Sequence, residues 1–526
     1  MTTFVTEANR TERLTLRVLQ VGAIAAVLAV TTLHAFDLDR FFVPKELVLH
    51  VTVALAGLLA LRALWRMGVT RVDLLLAGYL ILSAISALMA TNRWLALRAL
   101  AISASSVILF WIARALRRAG LAHALLGALA LAVVIAAATS LLQAYGLNID
   151  LFSASRSPGG TLGNRNFIAH VAAFGFPLLL LAALQARRRG AYLRWAVGAA
   201  FVVAALVLTR SRAAWLAFAA VMIVVLVAML FSPPLRRDGR TWKRLAGIVL
   251  LTAGVVALSL ILPNALHWHG NNPYLESVTR VAEYTEGSGH GRLVQYGRSL
   301  LMAVRHPLFG VGPGNWPVDY PAHVPPGDPS LDQSNDGMTS NPWPSSDWIA
   351  CIAERGIAAF VLLALVFLRL ARDGLRQLVR ASNTQEGLVA ASLLGVVAGA
   401  VVAGAFDAVL LLAVPAFLVW AAIGALWVPG EGLPRPAWKL AFVAALALSI
   451  AGAVRSTQQL MAMEIYTTRS DRASLVRAAR IDPGNYRLRL RLARSGGRAR
   501  CEHARAAHAL FPSARAAADA SRGCGK

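Results

Sequence analysis

Two arginines stand close together in LTRSRAAW (Leu208–Trp215), on a short connection between apolar runs. Arg keeps its charge and binds phosphate oxygens in a bidentate fork, so an uncompensated pair here is a candidate anion site. In a helix Arg210 and Arg212 would point about 200° apart and could not serve one site; a tight turn would let them converge. A second stretch runs from Gly287 to Trp316. Its Leu293, Tyr296, Gly297, Leu300, Leu301 and Val304 share one helical face, Arg298 and Arg305 the opposite one, and Arg292 the border. Such a helix is expected to lie along a membrane surface. The Gly/Pro turn FGVGPGNW that follows could bring backbone close to a ligand. A third stretch, Asn341–Gly356, carries Ser345 and Asp347 and then takes Glu354 and Arg355 about two turns into an apolar run. A local ion pair at a helix start is the plainer reading of Glu354 and Arg355. A fourth, FDLDR, holds Asp37 and Asp39, two carboxylates that could grip a divalent cation or simply be solvated loop residues.

The elements that must position these groups are set by composition. Of 526 residues 57% are hydrophobic and only 15% charged, whereas soluble domains carry about a quarter charged. The apolar residues form Ala/Leu/Val blocks of roughly 20, the length of a membrane helix and twice that of a barrel strand. The expected fold is all-α: a polytopic transmembrane bundle of about thirteen spans, beginning near Leu16, Glu46, Val72, Leu95, Ala122, Asn166, Tyr192, Ala213, Leu245, Trp348, Gly387, Ala408 and Trp438. The first run is read as a retained span, because no small-residue cleavage site follows it. Arg clusters at 62–71, 114–118, 187–194, 236–244 and 369–380 occupy alternate connections. By the positive-inside rule those connections and the N-terminus face the cytoplasm, and the long loop 263–347 faces outward. The net charge of +26 is thereby assigned to helix orientation and anionic lipid, not nucleic acid, for which no recognition module is present.

The membrane domain is expected over 1–454 and a basic helical tail on the outer side over 455–526. The tail's RAARIDPGNYRLRLRLA reads helix, turn, helix, and HALFPSARAA echoes it, as in a degenerate tetratricopeptide-type unit or a loosely helical tail. Cys351 falls in a span as a small filler; Cys501 and Cys524 share the tail, where an oxidising compartment would let them pair.

The order GGTLGNRNFIAH (Gly159–His170), TRSRAAW, GR before a helix, HPLFGVGPGNW and SSDWIACIAERG resembles the O-antigen ligase/polymerase family, over spans five to ten in detail. The resemblance implies a GT-C-type glycosyltransferase at the outer face of a bacterial inner membrane. It would move a glycan from an undecaprenyl pyrophosphate donor to a saccharide or lipid acceptor, among membrane lipids and polysaccharide-assembly proteins. The family's essential arginines correspond to Arg210 or Arg212 and Arg292, which would stabilise charge on the pyrophosphate leaving group without metal or cofactor. The family usually carries a His before the tenth span. Here that position is Ser345, which cannot act as a base near neutral pH, leaving Asp347, Glu354 or a loop His such as His290 for that role. Two other classes stand beside this reading: a lipid-linked glycan flippase, and a metal-dependent GT-C enzyme using Asp37 and Asp39. No internal repeat of the kind transporters show is visible.

Overall fold

Long apolar runs in lipid leave each peptide group only the hydrogen bonds of its own helix, and helices are what these runs form. The computed structural model describes residues 8–36, 39–268, 272–279, 287–325, 327–328, 330–332, 338–430, 432, 437–497 and 499–524. Among the described residues eleven helices are long and apolar enough to cross a membrane. They are Asp39–Trp65, Arg71–Met89, Arg93–Arg118, Ala122–Ala144, Arg165–Leu184, Arg189–Leu208, Arg212–Phe231, Gly239–Ile261, Asp347–Val379, Thr384–Phe406 and Trp438–Thr468. The protein is an all-α, polytopic membrane bundle.

Thirteen apolar runs were expected to span, and the other two are also helical: Arg10–Leu28 and Ala413–Leu426. The second has 14 residues, about 21 Å of helix against a hydrocarbon core of about 30 Å. All of its side chains are buried. One end lies against Arg117, whose Nη1 donates to the Ala425 carbonyl at 2.7 Å, and the other continues into the non-helical stretch 407–412. Helices Arg93–Arg118, Arg165–Leu184 and Thr384–Phe406 form the interior, while Gly239–Ile261 runs along the rim with few buried side chains.

Local chemistry sets the helix ends. Asn9 and Glu12, and Thr70 and Asp73, form capping boxes. Asp73 is also fully buried against Arg114 at 2.5 Å, tying two helices together. The Trp438–Thr468 helix is about 46 Å long, longer than a bilayer core, so residue 455 falls inside it and the chain leaves it only after Thr468. Four short helices follow: Arg472–Ile481, Tyr486–Arg494, Arg500–Leu510 and Arg515–Arg522. Cys501 and Cys524 form a disulfide across the last two. This tail is packed on the bundle. Tyr486, Leu490 and Phe511 share a core with Val318 and Met338 of the long loop, and Asn92 donates to the Gly484 carbonyl at 3.1 Å. Buried Arg455 pairs with buried Asp482.

Candidate active site

The connection 209–211 is a tight turn. The Thr209 hydroxyl folds back on the Leu206 carbonyl and accepts from the Ser211 amide, and Arg210 is held at φ +54°, the only non-glycine among the described residues in the left-handed region. That backbone turns Arg210 toward the long loop, where its Nε donates to Ser277 Oγ at 2.9 Å on the Pro273–Thr279 helix. Its guanidinium lies 5.1 Å from the centre of the Trp268 ring, and that of Arg165 lies 4.8 Å from the same ring. Arg156 and Arg210 are both electrostatic neighbours of Arg165. None of these three arginines makes an ion pair among the described residues. Beside them Tyr274, held by the Trp268 indole N–H, has its phenol pushed above the usual value by burial, with Arg210 opposing. Arg212 opens the next helix, half-buried and engaged by a neighbour. Arg210 therefore converges with Arg156 and Arg165, two residues the sequence reading passed over although Arg165 stands inside GGTLGNRNF.

Arg292 lies on the Gly287–Arg305 helix, half-buried. The apolar face anticipated for this helix is its exposed one: Leu293, Leu300, Leu301 and Val304 point outward, while Gln295, Ser299, Met302 and Ala303 pack inward. A helix against lipid buries its polar side in the protein. Arg292 neighbours His170, a fully buried imidazole five residues along the helix that Arg165 begins. His170 Nδ1 stands 3.9 Å from Asp407 Oδ2, and neither ring nitrogen has a hydrogen-bond partner among the described residues. One turn past Arg292, the Tyr296 hydroxyl donates to the carbonyls of Ser345 at 2.5 Å and Ala405 at 2.8 Å, and Gln295 accepts from the Ser345 amide at 2.8 Å. Ser345 is thus fixed through its backbone by Gln295 and Tyr296, on the same helix as Arg292. His290 is exposed at the start of the same helix.

Asp347 and Glu354 are both buried and both hold backbone. Asp347 Oδ2 accepts from the amides of Val409 and Leu410 at 2.9 Å each, fixing the stretch between two helices. Glu354 Oε1 accepts from the Trp316 amide at 3.3 Å, and its other oxygen lies 3.6 Å from Arg355, the local pair anticipated from the sequence. The helix opens just here. Gly356 has φ 84° and ψ 169°, a conformation open essentially to glycine alone, and the Gly/Pro turn fills the gap. The Val311 and Gly312 amides donate to the Ala353 and Glu354 carbonyls at 3.0 and 2.9 Å, and Ile357 donates to the Pro307 carbonyl at 3.0 Å. FGVGPG thus brings its backbone against a kinked helix. Beyond the kink, Ile357, Val361, Leu365 and Leu368 are exposed at helical spacing, marking where the lipid-facing part begins.

A cavity of about 660 Å³ lies beside these groups, with Glu354, Leu411, Arg156 and Arg98 in its wall. Arg98 clamps Glu46 at 2.7 and 2.9 Å and Asp39 Oδ1 at 3.1 Å. Asp39 is therefore held by a guanidinium, Asp37 lies outside the described residues, and no cluster of three His, Cys, Asp or Glu that could hold a metal occurs among the described residues. In the loop, Asp319 is half-buried with Oδ2 unpartnered among the described residues, and loss of water raises its pKa to about 6.

Residues 197–364 match the family model described as O-antigen ligase. No curated protein matches the chain. The matched segment runs from the helix before Arg210 through the long loop into the kinked helix, and contains Arg210, Arg212, Arg292, Ser345, Asp347 and Glu354. The resemblance drawn from the motifs is supported over that segment: the chain is a multi-pass membrane protein that is similar there to O-antigen ligases.

Proposed function

We propose that the protein transfers a glycan from undecaprenyl pyrophosphate to a saccharide or lipid acceptor at the periplasmic face of a bacterial inner membrane. The N-terminus is cytoplasmic in this reading, and the tail is periplasmic. The observation that carries it is Arg165 and Arg210 sharing the Trp268 ring with Arg156 beside Arg165, like charges crowded together with no described carboxylate at ion-pair distance. Such an arrangement is favourable when an anion of two or more charges sits among them. Arg292 is an electrostatic neighbour of His170, which lies on the same helix as Arg165.

Glycosyl transfer passes through an oxocarbenium-like state in which charge builds on the departing oxygen. Fixed guanidiniums stabilise that charge more than the ground state, which is where rate is gained. Ser345 stands where the family carries His and supplies no base. Asp347 and Glu354 are committed to backbone amides, so we read them as positioning residues for the 407–412 stretch and the Gly/Pro turn. Departure of a good leaving group ahead of acceptor attack asks little of a base.

Deletion of the gene, gel analysis of surface polysaccharide and complementation with variants test the reading. Arg292→Ala and Arg210→Ala should lower transfer by about 10²–10³-fold, and Arg210→Lys should restore little, because an ammonium lacks the planar fork. A normal polysaccharide ladder with Arg292→Ala overturns the proposal.

A further inference from the structure

We infer that the C-terminal tail completes a binding cavity for a short saccharide, the part of the acceptor that must be presented to the donor; this rests on the transferase reading above. The cavity is walled on one side by the ends of helices Asp39–Trp65 and Arg93–Arg118, on another by loop residues 338–343, and on a third by tail residues 482–487 and Phe511. The tail wall is built in. Arg455 and Asp482 pair at 3% exposure each, Arg455 also lies 5.3 Å from the Trp94 ring, and Tyr486 stacks on Phe511 at 4.3 Å within a core shared with the long loop.

The lining has the chemistry of a sugar site. Phe36, Trp343, Tyr486 and Phe511 supply the flat apolar surfaces that pyranose C–H faces pack on, and Asn485 and the Asp39/Glu46/Arg98 cluster supply donors and acceptors for hydroxyls. Five arginines and five acidic residues line it, so it has no net sign to favour an ionic ligand. Its volume lies within the range of about 300–1,000 Å³ for small-ligand pockets, room for a short oligosaccharide. Arg487 enters from the tail, 5.4 Å from the Phe36 ring and 5.8 Å from the Tyr486 ring, with no carboxylate at ion-pair distance among the described residues. The edges of the cavity fix its role. Arg156 lines it and neighbours Arg165 of the proposed donor site, and Leu411 and Leu412 line it just past the amides that Asp347 holds. A sugar in this cavity therefore stands next to a pyrophosphate at the arginine trio.

The full chain, expressed in its own host with photoreactive benzoylphenylalanine at Ser340 in the wall, tests this; the same group at Val443, exposed on a membrane helix, is the control. Irradiation should give an adduct that stains for carbohydrate from position 340 and not from 443. The adduct should persist in cells unable to make the lipid-linked donor. Arg487→Ala on the tail side, and Ser155→Trp filling the cavity from the membrane side, should each reduce it by about fivefold or more. An adduct with lipid alone, no adduct, or carbohydrate that disappears with the donor overturns the inference. The polysaccharide ladder of Arg292→Ala separates the two failures. A lost ladder with no carbohydrate adduct at 340 removes only the tail's role, whereas a normal ladder removes the transferase reading itself.

Discussion

Gly356→Ala should break the junction between the Gly/Pro turn and the kinked helix while leaving the rest of the bundle in place. A Cβ built at residue 356 would stand 2.1 Å from the Leu308 carbonyl oxygen and 2.4 Å from its carbon, so backbone, not a flexible side chain, would have to move. The conformation at φ 84° adds about 1–3 kcal/mol for any residue with a Cβ. Moving the turn away releases the three bonds from Val311, Gly312 and Ile357, at about 1 kcal/mol each. The sum is about 4–6 kcal/mol, enough to undock residues 307–316 and displace Gly314 and Pro317 from the cavity wall. Gly327 is the internal control: it also has a positive φ, 87°, but nothing among the described residues lies within 4 Å of its Cβ position, so Gly327→Ala should cost only the backbone strain, about 1–3 kcal/mol, and release no hydrogen bond of the turn. Detergent-purified variants compared by thermal unfolding and limited proteolysis, with surface polysaccharide scored in cells, read both effects. Gly356→Ala should expose the 307–316 segment to protease and abolish transfer; Gly327→Ala should do neither. A Gly356→Ala protein as protease-resistant and as active as the parent would refute the reasoning.

Two further outcomes follow from the buried charges. Arg98→Met strands Glu46, which is 5% exposed, and should destabilise the protein by about 3–5 kcal/mol in a thermal or denaturant assay; adding Glu46→Gln should recover a large part of that loss. Asp319, raised from 3.8 to about 6 by burial, is neutral in both folded and unfolded states well below pH 3.8; stability is lost as pH rises from about 4 to about 6, where only the unfolded chain has given up its proton, and the loss is complete above about 6. The shift corresponds to about 3 kcal/mol, reduced to about 1–2 because the carboxyl is partly solvated. Asp319→Asn should therefore raise the unfolding temperature at pH 7.5 and leave it nearly unchanged at about pH 3, below both pKa values; an equal gain at both values would show that desolvation is not the cause.

Much of the bundle was legible because a membrane helix writes its signal along the chain. Each of the thirteen runs needs only its own twenty or so residues to be recognised, and each forms a helix whose start lies at most 7 residues from the expected one. The length of the crossing is less legible: Ala413–Leu426 is short because the preceding stretch is held in non-helical turns by Asp347, a contact across 62 residues. The Gly287–Arg305 helix shows a different limit. Leu293, Leu300, Leu301 and Val304 face outward, as expected of a helix along a membrane surface, but Tyr296, expected on the same face, turns inward to the Ser345 and Ala405 carbonyls, polar partners that periodicity does not register. The tail's place against the loop was not legible at all, since its partners Asn92, Val318 and Met338 lie far away in sequence. The site divided along the same line. Arg210 and Arg292 could be picked out by motif, and the turn that frees Arg210 from helical spacing was one of two open readings. Arg156 gave no sequence signal.

With 52 Lys and Arg in the chain, a basic residue is in itself uninformative; what separates them is the partner. Arg114 and Arg455 are buried and Arg98 half-buried, and each meets a carboxylate from a different part of the chain, so each closes its own charge and fastens helices together. Their removal is a matter of stability. Arg156, Arg165 and Arg210 differ: Arg165 has the other two for neighbours, Arg165 and Arg210 share an indole ring, and none of the three meets a described carboxylate at ion-pair distance. Arg210 is moreover held in a backbone conformation that costs about 1–3 kcal/mol outside glycine. A fold under pressure for stability alone would relax that turn or place an acid beside it. Both features make sense together if the balancing charge arrives with the ligand, and a pyrophosphate on a membrane-bound carrier would bring that charge to the end of the bundle where the long loop and the tail meet.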